Sequence, residues 1–275
     1  MKIDAHHHLW QFNELDYGWM TPEMTVLRRD FVARDLEAVL SANGIAGAVT
    51  VQARQSIEET RWLLELQRGT PVMLGVVGWV PLNEPGVRRY LDEFTAGPGL
   101  KGVRHVLHDE PDDNYMLRED FNRGVSLLRE YGLVYDLLVF ERHLPQAIEF
   151  VDRHPDQVFV LDHIAKPRIR EGLLSPWRER MLELARRGNV YCKLSGLVTE
   201  ADWSAWKYAD LEPYFDVVLE AFGPRRLMFG SDWPVILLAA PYATWAEAVS
   251  RKLETFSAAE QERIWSATAA EAYRL

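Results

Sequence analysis

The sequence predicts an α/β fold, a closed (β/α)8 TIM barrel forming a single domain over residues 1–275, and three observations carry that expectation. Short β-rich runs alternate with helical stretches along the whole chain, the signature of repeated βα units around a parallel sheet. Eight such runs can be counted, with starts roughly 25 to 45 residues apart, which leaves room for one helix in each interval. The first run ends in histidines and aromatics rather than in the glycine-rich phosphate loop that opens most doubly wound sheets.

In chain order, the expected strands are Lys2 to Leu9, Ala46 to Arg54, Val72 to Leu82, Leu100 to Leu107, Leu133 to Phe140, Val158 to Lys166, Asn189 to Gly196 and Arg226 to Val235. Each is dense in β-branched and aromatic residues, which suit a strand buried on both faces. The helices between them announce themselves by their ends. Ser56 with Glu59, and Ser257 with Glu260, have the spacing of capping boxes that open amphipathic helices. Gly44, Gly69, Gly132 and Gly188 each close a helical pattern just before a strand, where a left-handed cap residue is wanted.

Composition narrows the partners. At 48% hydrophobic and 26% charged residues the chain has the makeup of a globular enzyme, so disordered and fibrous classes drop out. Its net charge of -10 argues against nucleic acid or an anionic membrane as partner. There is no apolar run long enough to span a bilayer and no charged-then-apolar leader before Asp4, so a cytoplasmic protein is expected. Cys192 is the only cysteine, which rules out an internal disulfide and a multi-thiolate zinc site. The oligomeric state stays open, a homo-oligomer included.

In a barrel of this kind chemistry gathers at the C-terminal ends of the strands. Alternation along the first strand puts His6 and His8 on one face and His7 on the other, so the opening "IDAHHHLW" offers a paired imidazole for a metal ion or an anionic transition state. Further along, Gln52 and Arg54 end the second strand, and Trp79 in the third is a platform for a ring. The fourth strand offers Arg104, with His105 on the opposite face; the fifth carries Asp136; the sixth Asp162, His163 and Lys166; the seventh Lys193 and Ser195; the eighth ends in Asp232 and Trp233.

Plainer readings stand beside these. Asp136 and Lys193 could form a purely structural ion pair. Asp162 must face away from the interior if His163 faces in, and so takes a structural role; His7 packs on the helical layer; His105 and His108 are ambiguous; His143 and His154 sit on a helix surface. Three aromatic or acidic loops, Trp10 to Met20, His108 to Met116 and Thr199 to Tyr208, suit either lids or simple cover for the barrel top.

Taken together, "DAHHHLW", "GVRHVL", "LDHIAKP" and "GSDWPV" resemble the amidohydrolase superfamily (amidohydrolase 2 type), and within it the sugar-lactone branch of L-fuconolactonase- and L-rhamnonolactonase-like proteins. The similarity spans essentially the whole chain. The resemblance implies hydrolysis of a sugar lactone at the barrel mouth, with Asp232 activating water and His163 beside it as the catalytic pair. From their places at the strand ends, Gln52, Arg54, Trp79, Arg104, His105, Lys193 and Trp233 are the substrate-binding candidates. The resemblance also implies His6, His8 and Asp232 as ligands for one divalent ion such as zinc, although some members of the branch work without metal. The fourth strand lacks a bridging lysine or glutamate, and the fifth has Asp136 where relatives often show histidine, which argues against a two-metal site. Two rivals remain on the same residues: a metal-dependent decarboxylase or amide hydrolase, and a non-catalytic barrel that binds sugar acids.

Overall fold

A computed structural model describes residues 1–275. It contains one eight-stranded parallel sheet in sequential order: β1 (Ile3–His7), β2 (Gly47–Val51), β3 (Met73–Gly78), β4 (Leu100–His105), β5 (Val134–Leu137), β6 (Phe159–Leu161), β7 (Val190–Leu194) and β8 (Leu227–Phe229). All eight expected strands are present, each shorter than its apolar run, because several runs continue past the ladder into the loops of the barrel mouth. Helices intervene between successive strands, as the caps suggest. No helix is long and apolar enough to cross a membrane.

The barrel closes between β1 and β8 without a regular ladder. The His8 amide donates to the Trp233 carbonyl (2.7 Å) and the Asp232 amide to the His6 carbonyl (2.8 Å). Just below, the buried Asp4 carboxylate substitutes for missing backbone pairing: Oδ1 accepts the Ser231 amide (2.8 Å) and Oδ2 the Tyr242 hydroxyl (3.0 Å). Asp4 faces that way by ordinary alternation from the inward Ile3, and beyond it the register of β1 against β2 slips between Asp4 and His7. Such a bulge re-aims the side chains that follow it. Ile3 and Ala5 join the apolar cluster inside the barrel, yet His6 points inward as well.

The lower interior is filled by β-branched residues such as Val49, Val51, Val77, Val134 and Val160. The final helix, Thr268–Tyr273, plugs this end with Ala269, Ala272 and Tyr273, whose hydroxyl donates to both oxygens of Asp136 (2.8 and 2.9 Å). A second, larger apolar shell fills the space between the sheet and the helices.

Of the expected caps, Ser56 accepts the Glu58 and Glu59 amides, and Ser257 forms its capping box with Glu260. Glu59 departs from the capping-box pattern. Its carboxylate turns to the Ala53 and Arg54 amides (3.0 Å each) and the Tyr17 hydroxyl (3.2 Å), tying the loop after β2 to the loop after β1. Burial is the main reason its carboxyl is raised to about 7. Gly44 and Gly132 adopt the expected left-handed backbone. Gly69 and Gly188 do not; the helix Ile57–Gly69 is left through an extended Thr70 instead.

Candidate active site

Above the apolar plug lies a layer of buried charge. The Lys193 ammonium, fully enclosed, is ion-paired with Asp136 and with Asp162 Oδ1 (2.9 Å), and lies 3.1 Å from His6 Nδ1. Burial raises Asp136 to about 6 even against the pull of Lys193. Burial acts the same way on Asp162, but there Lys193, His6 and Arg104 outweigh it and hold the carboxyl well below its usual range.

The expectation that Asp162 faces away from the interior is corrected here: it is fully buried in the barrel, with Oδ2 accepting from Arg104 Nη1 at 3.0 Å. Strand alternation fails because β6 ends at Leu161. From His163 to Lys166 four consecutive non-glycine residues take positive φ (52°, 48°, 61° and 47°). This left-handed turn lets Asp162 and His163 address the same interior. A β-branched residue such as Ile164 is strained in that region, and strain of this kind concentrates at functional sites. The Trp177 indole holds the turn by donating to the Ile164 carbonyl (2.8 Å).

The next layer is the catalytic candidate itself. Asp232 Oδ1 lies 3.3 Å from His8 Nε2, 3.7 Å from His6 Nε2 and 3.9 Å from His163 Nε2. Burial alone would raise this carboxyl, but the His163 and His8 rings and Lys166 more than offset it, so it lies below its ordinary value. His6 and His163 are pushed well below theirs, chiefly by burial, and are therefore neutral imidazoles near neutral pH.

His8 Nδ1 lies 2.8 Å from the Val51 carbonyl, which can only accept, so Nδ1 carries a proton, and Nε2 faces Asp232. His163 Nδ1 bonds Ser195 Oγ (2.9 Å), and Ser195 is too deeply buried to act as a nucleophile. Gly196 makes room for that ring: a Cβ there would lie 2.7 to 2.8 Å from His163 Cβ, Cγ and Nδ1, and its φ is +73°. Gly196→Ala is therefore expected to displace His163 and reduce turnover on the order of 10²-fold, with a loss of roughly 1–3 kcal/mol in chemical unfolding from the strained backbone.

The residues fit one divalent ion. His6 Nε2 and His8 Nε2 are 3.1 Å apart beside Asp232 Oδ1, a two-imidazole, one-carboxylate donor set. The buried Asp162 Oδ1, ion-paired with Lys193, also lies 3.2 Å from His6 Nδ1. A proton on that nitrogen would donate to this oxygen and free the Nε2 lone pair for a cation, the usual arrangement behind a metal-bound histidine. The other grouping, His6, Asp162 and His163, draws on a carboxylate already paired with Arg104 and Lys193, so the donors do not extend to a second ion.

A cavity of about 420 Å³ opens onto this floor. His8, Arg54, Arg104, His163 and Asp232 reach its wall, while His6 and Lys193 lie sealed beneath. The remaining candidates lie elsewhere. The Trp79 indole donates to His105 Nδ1 (3.3 Å), whose Nε2 bonds Glu110 (2.7 Å), a cluster outside the cavity wall. Gln52 is buried against Arg104, and Trp233 packs edge-on to Phe31. His7 is turned to Thr50 Oγ1 (2.8 Å), away from the site.

His143, expected on a surface, is buried: it lies in a 3-10 turn, where Nδ1 accepts the Phe140 amide and Nε2 bonds Asp113. His154 is half-buried against Asn122. Of the three candidate lids, the loop after β1 brings Trp19 to the cavity and the loop after β4 brings His108 and Asp109. Trp203 of the third faces a neighbouring cavity. Lys166, singled out in the sixth run without a role, also lines the main cavity; its signal was its place at the end of that run, next to Pro167.

An eight-fold barrel with a first-strand His-x-His and a last-strand aspartate around one mouth defines a hydrolase of the amidohydrolase class. The chain belongs to the amidohydrolase family, whose model matches residues 3–275. It is 43% identical to the L-fucono-1,5-lactonase of Burkholderia multivorans over 286 residues, covering 100% of this chain and 96% of that protein. It is 35% identical to the L-fucono-1,5-lactonase of Burkholderia ambifaria, again over 100% of this chain and 96% of the relative. The crystal structure of a Burkholderia multivorans amidohydrolase with bound zinc matches with a TM-score of 0.97 at 43% identity, covering 100% of this chain and 99% of that one.

Proposed function

We infer that this chain hydrolyses a sugar lactone, such as L-fuconolactone or L-rhamnonolactone, to the free sugar acid. The observation that carries the reading is a single ionised carboxylate, Asp232, ringed by three imidazoles at the floor of a cavity large enough for one sugar ring. The full-length similarity to two lactonases supports the same substrate class.

In the mechanism, the lactone lies across the cavity with its carbonyl over Asp232. The carboxylate accepts a proton from water as the water oxygen adds to the carbonyl carbon; general base catalysis of this type is worth about 10²- to 10⁴-fold. His163, held by Ser195, and His8, held by the Val51 carbonyl, orient the water and the carboxylate. A divalent ion held by His6, His8 and Asp232 would supply Lewis acidity toward the carbonyl. Lactones are activated esters, so hydrogen-bond donors fixed in the protein are chemically sufficient for this substrate.

The test is acid release from a panel of six-carbon and 6-deoxy aldonolactones, run with and without chelator and alongside elemental analysis. Turnover is expected, and it should be insensitive or only weakly sensitive to chelator. The Arg104 guanidinium, 3.4 Å from His6 Nε2, repels a dication at that nitrogen and weakens its hold. Turnover confined to amides, or decarboxylation with no lactone hydrolysis, would refute the reading.

A further inference from the structure

Lactone hydrolysis places negative charge on the carbonyl oxygen, and something must receive it. Resting on the lactonase reading, we propose that the Lys166 ammonium is that donor, a second catalytic residue facing Asp232 across the bound substrate. The left-handed turn that closes β6 carries Lys166 onto the cavity wall shared with His163 and Asp232 instead of continuing the strand direction.

Its hydrogen bonds leave it free for the task. An ammonium has three N–H donors. One goes to Glu200 Oε1 (2.8 Å), at the start of the neighbouring cavity, and Lys166 makes no other side-chain hydrogen bond. Of the other cations nearby, Arg104 is held by Asp162 and the Gln52 carbonyl and Lys193 lies beneath the floor, while Arg54, on the same wall, is drawn toward the mouth by Asp16 (2.6 Å) and keeps its Nε without a partner. The Lys166 side chain is only 17% exposed, so its field is weakly screened where the oxyanion forms. Although burial works to lower its pKa, Glu200 and Asp232 raise it overall, which keeps the group protonated.

The step balances without another reactant. As the water oxygen bonds to C1, its proton passes to Asp232 and the carbonyl π pair moves onto the exocyclic oxygen, which accepts from Lys166. When that pair returns, the bond from C1 to the ring oxygen breaks and the ring oxygen leaves with the proton held by Asp232. The product acid then ionises to solvent, and both residues are restored.

The experiment compares wild type with Lys166→Met, Lys166→Arg, Lys166→Ala and Glu200→Gln on the best lactone of the panel, over pH 7 to 9, with circular dichroism and thermal unfolding of each. Lys166→Met is expected to lower kcat about 10²- to 10³-fold, the scale of losing an oxyanion donor, with little change in KM and the same deficit at every pH. Lys166→Arg should retain more activity, added propylammonium should restore part of the rate of Lys166→Ala, and Glu200→Gln should lose far less than Lys166→Met. If Lys166 only ties two loops together through Glu200, the Glu200 variant will be as impaired as Lys166→Met and amine will not rescue. If it only holds Asp232 ionised, activity will return as pH rises. Either result overturns the proposal, as does a folded Lys166→Met with wild-type kcat. Wild type that turns over no lactone would instead sink the functional reading itself.

Discussion

Asp232→Asn is expected to lower kcat for lactone hydrolysis by about 10²- to 10⁴-fold, the contribution of a positioned general base. The variant should fold normally. Asp232 sits at φ 60°, a left-handed conformation that asparagine tolerates better than other residues, and the barrel seam is made there by its backbone amide rather than its carboxylate. Isosteric replacement keeps the cavity and removes only the charge and basicity facing the three histidines. Calorimetry with the product acid and steady-state turnover, measured side by side, separate the outcomes. Binding with lost turnover fits the base role and excludes a mere binding barrel; unchanged hydrolysis removes Asp232 from the mechanism.

The second large effect is on stability. Lys193→Met takes an ammonium from between Asp136 and Asp162 and leaves two fully buried carboxylates with one countercharge fewer. Removing one partner of a buried ion pair destabilises by about 3–5 kcal/mol, because the remaining charge has no solvent to turn to. Denaturant unfolding of the variant should show a loss of this size. Turnover should fall as well, because Lys193 also meets His6 Nδ1 and its removal frees that ring to change its hydrogen bonding. A loss below about 1 kcal/mol, the range of an exposed pair, would mean that Arg104 already compensates Asp162 and that Asp136 takes up a proton, with Tyr273 still bonded to it.

Much of this was legible in the residue pattern. Strand spacing and cap chemistry are local properties, so the barrel could be read from the chain. His6, His8 and Asp232 could be paired because a closed barrel has one mouth at which strand ends converge. What escaped depends on backbone departures with no clear residue signature. The slip in β1 brings His6 inward beside Ile3 and Ala5, although simple alternation from Ile3 would place it on the outer face with Asp4. The left-handed turn after Leu161 brings Asp162, His163 and Lys166 to one place, where period-two reasoning separates the first two. Trp79 looked like a sugar platform because it ends an apolar run. Past Gly78 the chain leaves the ladder, Thr60 captures the Trp79 backbone, and the ring meets His105 instead. His143 reads as a helix-surface residue, but its partner Asp113 lies thirty positions earlier, a pairing that no local window contains.

The irregular closure between the first and last strands has a consequence for how the molecule wears out. The cylinder is held shut at its least repetitive joint by the peptide groups of His6, His8, Asp232 and Trp233, two of which, His8 and Asp232, also carry side chains on the cavity wall. Breathing of the whole structure and loss of catalytic alignment therefore begin at the same place. On gentle heating, the enzyme should fall silent before its helices melt.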